Sequence, residues 1–73
     1  MIEREWIKKL QRLHDELLAF SRRMEGGLMW LREDQRPMSL VLAGMLSLLS
    51  HSACMAAATI KVNIQDIQKK EKP

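Results

Sequence analysis

Three side chains able to bind metal ions occupy positions that helical packing would gather. His51 and Cys54 are three residues apart, so both lie on one face of a helix. If a preceding helix folds back on this one, His14 comes within about a turn and a half of His51. A structural zinc site takes four such ligands, whereas the chain has only two His and one Cys. We therefore expect no metal and no cofactor, and interpret Cys54 as a small apolar filler.

Catalytic groups do not form a recognisable set. The adjacent acids Asp15 and Glu16 lie on the polar face of the predicted first helix. The apolar positions carry no pair of carboxylates, and the sequence has no phosphate-binding loop and no nucleophile with a plausible base and orienting group. The sequence predicts a protein that is not an enzyme.

Basic side chains concentrate near both ends of the chain. The net charge is only +3 because nine acidic residues offset the twelve basic ones. A chain that folds back would bring the two basic groups to one end, so a further alternative function is a hairpin dimer that binds nucleic-acid phosphates through this end, in a salt-sensitive contact. Alternatively, they form solvated helix termini. The candidate phosphate contacts are Lys8, Lys9, Arg12, Lys69 and Lys70.

Residues 37 to 60 contain no Asp, Glu, Lys or Arg, in contrast to the charged remainder of the chain. This stretch is long and apolar enough to cross a bilayer, so an inner or plasma membrane protein with one span at 37–60 is an alternative. Ser47, Ser50, His51 and Ser52 lie in its middle, where polar groups are costly in lipid. The absence of an apolar leader and the free Cys54 favour a cytoplasmic location.

The first 33 residues follow a helical period. Their apolar positions step alternately by four and three, which predicts an amphipathic helix over residues 2–33. Gly26 and Gly27 interrupt this pattern. Either they end the helix, or they let a neighbouring backbone approach, and the unbroken spacing favours the second interpretation. The predicted stripe is Trp6, Leu10, Leu13, Leu17, Phe20, Met24, Gly27 and Leu31.

A second helix is predicted over residues 37–68, with residues 69–73 as a frayed basic tail. Pro37 suits a first helical turn. Residues 59–64 alternate like a β-strand, but the sequence offers no partner strand, so the helical interpretation is kept. The predicted inward stripe is Leu42, Leu46, Leu49, Ala53, Ala56, Ile60, Ile64 and Ile67, and a second apolar line comprises Val41, Met45, Leu48, Met55 and Val62.

Two helices of similar length with a short link predict an all-α antiparallel hairpin, in which residue n faces about 70 minus n. This register places Gly26 and Gly27 against Ala43 and Gly44, in a close crossing beside the turn. The whole chain, residues 1–73, then forms one domain.

A domain of 73 residues has a marginal core, and the second helix has apolar surface left over. We therefore expect a homodimeric four-helix bundle, with helix 2 central. The predicted function is a protein-protein interaction module that binds itself or a larger protein, as an adaptor, chaperone-like cover or inhibitor. The predicted interface residues are Val41, Ala43, Met45, Ser47, Leu48, Ser50, Cys54 and Met55.

Overall fold

The computed structural model describes residues 2–71 and shows two long helices packed side by side. Helix α1 spans Ile2–Glu33 and helix α2 spans Pro37–Glu71. A link of three residues reverses the chain direction, which gives a rod of 58 × 14 × 13 Å. The predicted all-α hairpin is thereby confirmed.

The helix boundaries agree with the predicted ones except at the end of α2. This helix continues to Glu71, three residues beyond the predicted end, so Lys69 and Lys70 are helical; Lys72 and Pro73 lie outside the described residues. Residues 59–64 are also helical. There the Thr59 hydroxyl donates to the Met55 carbonyl oxygen at 2.9 Å, which satisfies the hydroxyl within the helix.

Helix α1 is continuous through Gly26 and Gly27, so the interpretation with a single helix is confirmed. Neither glycine has a positive φ. The apolar contacts on both sides of the pair hold the helix together, because Met24 is partly buried and Leu28 is buried against α2. Packing therefore outweighs the cost of about 1 kcal/mol that each glycine adds to a helix interior.

The turn is organised by Asp34. One of its carboxylate oxygens accepts the Arg36 backbone N–H at 3.3 Å, and the other accepts the Ser39 hydroxyl at 2.8 Å. The Arg36 guanidinium donates to both oxygens, with the shortest distance 2.6 Å. These bonds hold the pKa of Asp34 down at about 2, with the Arg36 bonds as the largest cause. Asp34 thus joins the turn to the first residues of α2.

The low pKa of Asp34 predicts how the hairpin responds to acid. The ordinary value is 3.8 and the folded value is about 2, so the unfolded chain binds this proton more readily. The stabilisation is therefore complete above pH 4 and is lost as the pH falls through about 2. We expect Asp34→Asn to lower the melting temperature at pH 6 and to differ much less from the native chain at pH 2, where most of this stabilisation is gone. Thermal melts followed by circular dichroism measure this.

The matched control for the acid experiment is Gln35→Ala, which changes an exposed neutral side chain of the same turn. It should leave the pH dependence of the melting temperature unchanged. A constant difference between native chain and Asp34→Asn from pH 6 to pH 2 would contradict the assigned role of the carboxylate.

The stripe of α1 that faces α2 differs from the predicted stripe by one residue at every second position. Leu10, Leu17, Met24 and Leu31 are buried or partly buried as predicted. The alternate positions face inward one residue later than predicted, and the predicted Trp6 and Leu13 are largely exposed. The observed stripe keeps the spacing of three and four; its members are Ile7, Leu10, His14, Leu17, Ser21, Met24, Leu28 and Leu31.

The inward stripe of α2 is also shifted at several positions, toward smaller residues. Leu42, Leu49 and Ala56 were predicted to face α1 but are exposed. Ala43, Ser50 and Ala57, the residues that follow them, are buried in their place. Small side chains at every seventh position let two helix backbones approach closely. The observed stripe is Ser39, Ala43, Leu46, Ser50, Ala53, Ala57, Ile60, Ile64 and Ile67.

A hydrogen-bonded serine pair lies in the middle of the contact between the helices. The hydroxyl oxygens of Ser21 and Ser50 are 2.8 Å apart and both residues are buried. The Ser21 hydroxyl also lies 3.0 Å from the Cys54 sulfur. Because a buried hydroxyl is costly without a partner, a sliding of one helix along the other would leave both serines unpaired. The pair therefore fixes the register, which lies within one residue of the predicted one, in which residue n faces about 70 minus n.

Candidate interaction surface

Helix α1 covers only one side of α2, and the remaining apolar side chains of α2 are exposed. Only 22% of the most apolar 18-residue window of α2 is buried. We call the exposed large apolar side chains from the remaining surface the outer face of α2. It consists of Met38, Val41, Leu42, Met45, Leu48, Leu49, Met55 and Val62. The other exposed large apolar residue of α2, Leu40, lies on the flank that carries Ser47 and Cys54 and is not part of this face.

Six of the eight residues of the outer face, all except Leu42 and Leu49, lie on a second stripe of α2 that has helix-packing spacing. Positions 38, 41, 45, 48, 52, 55, 59 and 62 step alternately by three and four, as the inward stripe does. All eight are exposed, and Ser52 and Thr59 are the only polar residues among them. A stripe with this period packs against another helix, so the outer face has the chemistry and the spacing of a helix-binding surface.

The structure separates the predicted interface residues into two groups. Val41, Met45, Leu48 and Met55 are exposed on the outer face, with Leu48 72% accessible. Ala43 and Ser50 are buried against α1, and Ser47 is partly buried.

Ala43 and Ser50 therefore pack within the hairpin, and their assignment to a partner surface needs correction. The helix that these small side chains admit is α1 of the same chain. Cys54 is exposed, but its sulfur contacts Ser21.

The predicted close crossing forms only in part. A Cβ atom at Gly27 would lie 3.7 Å from a methyl group of Leu46, and Ala43 is buried beside Leu28 and Leu31. A Cβ atom at Gly26 or Gly44 would meet nothing within 4 Å. Gly26 and Gly44 therefore face away from the crossing, because neither belongs to the inward stripe of its helix.

Sequence reasoning missed an exposed contribution from α1. Trp6 and Leu13 had been placed inside the hairpin, but 51% and 46% of their surfaces are accessible. They lie seven residues apart and flank the inward stripe. The signal that distinguishes them is the neighbouring line of residues 7, 14, 21 and 28, which has the same spacing and includes the small Ser21.

The candidate phosphate contacts lie at the open end of the hairpin, on both helices, as the fold-back predicted. Lys8, Lys9 and Arg12 line a shallow hollow on α1 together with Glu5. At the same end of the hairpin, Lys70 forms an ion pair with Asp66 at 3.6 Å. Acidic side chains therefore accompany the basic ones in both helices, as they do in the sequence.

The titratable side chains that suggested metal chemistry lie in separate places. His51 and Cys54 border one hollow with Glu25, whereas His14 borders another with Gln11 and Lys61. His14 instead bonds to Asp15 at 3.1 Å and thereby lowers the pKa of that carboxyl. Across residues 2–71, no three His, Cys, Asp or Glu side chains are grouped in a way that would hold a metal ion.

Helix α2 is the one described helix that is long and apolar enough to cross a bilayer. In the hairpin, α1 packs along this helix, and the opposite surface of α1 exposes Arg12, Arg22 and Arg23. These charges cannot enter the hydrocarbon region at an acceptable cost. The hairpin and a lipid-embedded α2 are therefore mutually exclusive arrangements.

Comparison of the chain with protein-family models, with curated proteins and with solved structures finds no match.

Proposed function

We propose that the protein is a non-enzymatic interaction module that self-associates through the outer face of α2, dimerising into a four-helix bundle. In this role it serves as an adaptor, a chaperone-like cover or an inhibitor for a larger protein. The observation that carries the proposal is the second stripe of apolar residues on α2, which has helix-packing spacing and no cover within the hairpin.

The size of the exposed surface supports this role. The eight side chains of the outer face expose on the order of 900 Å², comparable with the roughly 800 Å² that each partner buries in a standard interface. An apolar patch on a soluble monomer is usually smaller, about 300–600 Å². A surface of this size is unfavourable in water and is stabilised by contact with another apolar surface.

The composition of the outer face suits contact with protein side chains. Three of its members are Met, whose flexible side chains adapt to different neighbours. Residues 37–60 of α2 include no Asp, Glu, Lys or Arg, so none of these charges has to be removed from water when a helix docks there.

Oxidation of the methionines tests this proposal in the unmodified chain. Met45 lies on the outer face, whereas Met29 is 71% exposed on α1. Hydrogen peroxide oxidises accessible Met to the sulfoxide. We expect Met45 to react several-fold more slowly than Met29 at high protein concentration, and to approach the rate of Met29 on dilution. Peptide mass spectrometry measures both rates in one sample.

Met29 is the internal control, since its position on α1 is outside the proposed contact. Equal oxidation of Met45 and Met29 at every concentration, in a chain that stays dissolved, would show that the outer face has no cover and would refute self-association.

A single-span membrane protein is the second candidate function, because α2 has the length and hydropathy of a span. In that arrangement α1 leaves α2, the Ser21–Ser50 hydrogen bond is lost, and lipid covers both the inward and the outer stripes. The two candidates differ in whether α1 and α2 stay in contact.

A further inference from the structure

The two helices have apolar surfaces of different widths. On α1, one line of apolar residues flanks the inward stripe, at Trp6, Leu13 and Phe20. The next line around α1 is charged over most of its length, with Lys9, Glu16 and Arg23. On α2, the apolar surface extends from the inward stripe across the whole outer face. The surface of α1 is therefore narrow and that of α2 is wide.

The apolar flanks of the two helices border the same edge of the hairpin. The opposite edge is polar except at Leu18 and Leu40. Gln11 of α1 lines one hollow there with Lys61 and Gln68 of α2. Further along that edge, Glu25 lines another hollow with Ser47 and Cys54. In an antiparallel pair each helix has one flank on each edge. The remaining flanks, Trp6, Leu13 and Phe20 of α1 and Leu42, Leu49 and Ala56 of α2, therefore form an apolar edge.

We propose that the apolar edge is occupied by a second copy of this chain, with the two α2 helices in the centre of the bundle and the two α1 helices outside. Trp6 and Leu13 then contact α2 of the second copy. This inference rests on the proposed self-association, and it adds α1 to a surface that otherwise belongs to α2 alone.

The widths of the apolar surfaces favour a second copy as the occupant. In a two-fold bundle whose α2 helices are central, each α2 touches three neighbours and each α1 touches two. A central helix therefore needs a wide apolar surface, and an outer helix needs only its inward stripe and one flank. That is the distribution found here, and the charged line at Lys9, Glu16 and Arg23 stays in water.

The test is the substitution Leu13→Glu on α1, with Ala19→Glu as the matched control on the charged face of the same helix. Both positions are exposed in the single hairpin, so circular dichroism should show retained helicity. We expect Leu13→Glu to weaken dimerisation by about 30-fold or more, because the dimer buries an unpaired carboxylate. Ala19→Glu should dimerise as the native chain does. Sedimentation equilibrium gives the dissociation constants.

The outcomes separate this inference from the proposed function. If Leu13→Glu dimerises with native affinity while Met45→Glu/Leu49→Glu is monomeric, the dimer is held by α2 alone. That result would overturn the role of α1 in the interface and leave the proposed self-association in place. A native chain that stays monomeric would overturn the proposed self-association itself.

Fluorescence of Trp6 provides a second measurement in case Leu13→Glu reduces helicity. With Trp30→Phe, Trp6 is the only indole in the chain. Its emission should shift to shorter wavelength over the concentration range of dimerisation, because the second copy removes the ring from water. Emission that stays constant while the mass doubles would contradict the placement of Trp6 in the interface.

Discussion

Replacement of Ala57 by glutamate is expected to abolish the hairpin. Ala57 is 1% exposed, the least accessible of the buried core residues, and lies among the small residues of α2 that admit α1. A carboxylate there is buried without a partner, at a cost of about 3–5 kcal/mol. Because a core of this size supplies only roughly 3–5 kcal/mol of net stability, the free energy of unfolding should fall to about zero. Circular dichroism should show loss of most helicity.

Ala58→Glu is the matched control for this experiment. It makes the same change at the next residue, which is exposed, and it should melt within a few degrees of the native chain. Equal melting temperatures for Ala57→Glu and Ala58→Glu would mean that Ala57 does not face α1, and the packing of the hairpin described above would be wrong.

The double substitution Met45→Glu/Leu49→Glu is expected to convert the dimer to a folded monomer. The exposed fractions of Met45 and Leu49 in the hairpin are 57% and 50%. Replacing these side chains therefore removes little packing from the single hairpin. In the dimer both carboxylates are removed from water without partners, which should weaken association by at least about 100-fold. Sedimentation velocity gives the mass, and circular dichroism shows whether the helices persist.

His51→Glu/Ala58→Glu controls for added charge. It places two carboxylates on exposed positions of α2 that lie outside the outer face. This variant should keep the mass of the native chain. If both double variants dissociate equally, net charge and not the outer face governs association, and the proposed surface would be wrong.

The general architecture could be predicted from the sequence because helical period and chain breakers are local signals. Apolar residues at steps of three and four predicted both helices, and Pro37 marked the start of α2. The short link then left an antiparallel hairpin as the simplest arrangement. Even the alternating residues 59–64 were correctly predicted as helical, since a single strand would have no hydrogen-bonding partner.

The inward face could not be predicted correctly, because two stripes with the same period overlap on each helix. On α1 the line through Trp6 and Leu13 competes with the line through His14 and Ser21, and hydrophobicity favours the first. The structure uses the second. Ser21 pairs with Ser50 there, and the small residues of α2 allow close approach, so shape and hydrogen bonding outweigh side-chain hydrophobicity.

The candidate surface was partly predictable from the angular positions of its residues on α2. The line of Val41, Met45, Leu48 and Met55 is separate from both candidate inward stripes of α2, so its exposure followed from its angular position on the helix. Ala43 and Ser50 belonged to a line of small residues that either α1 or a partner would fit. The hydrogen bond between Ser21 and Ser50 shows that α1, and not a partner, packs against these small residues.

We propose that protein, and not lipid, covers the uncharged stretch of residues 37–60. Sedimentation of the unmodified chain in buffer without detergent distinguishes the two. If protein covers this stretch, we expect a dissolved helical dimer, with twice the mass of the 8.5 kDa chain. Recovery of the chain only with membranes or detergent would contradict it, as would a dissolved helical monomer at every concentration.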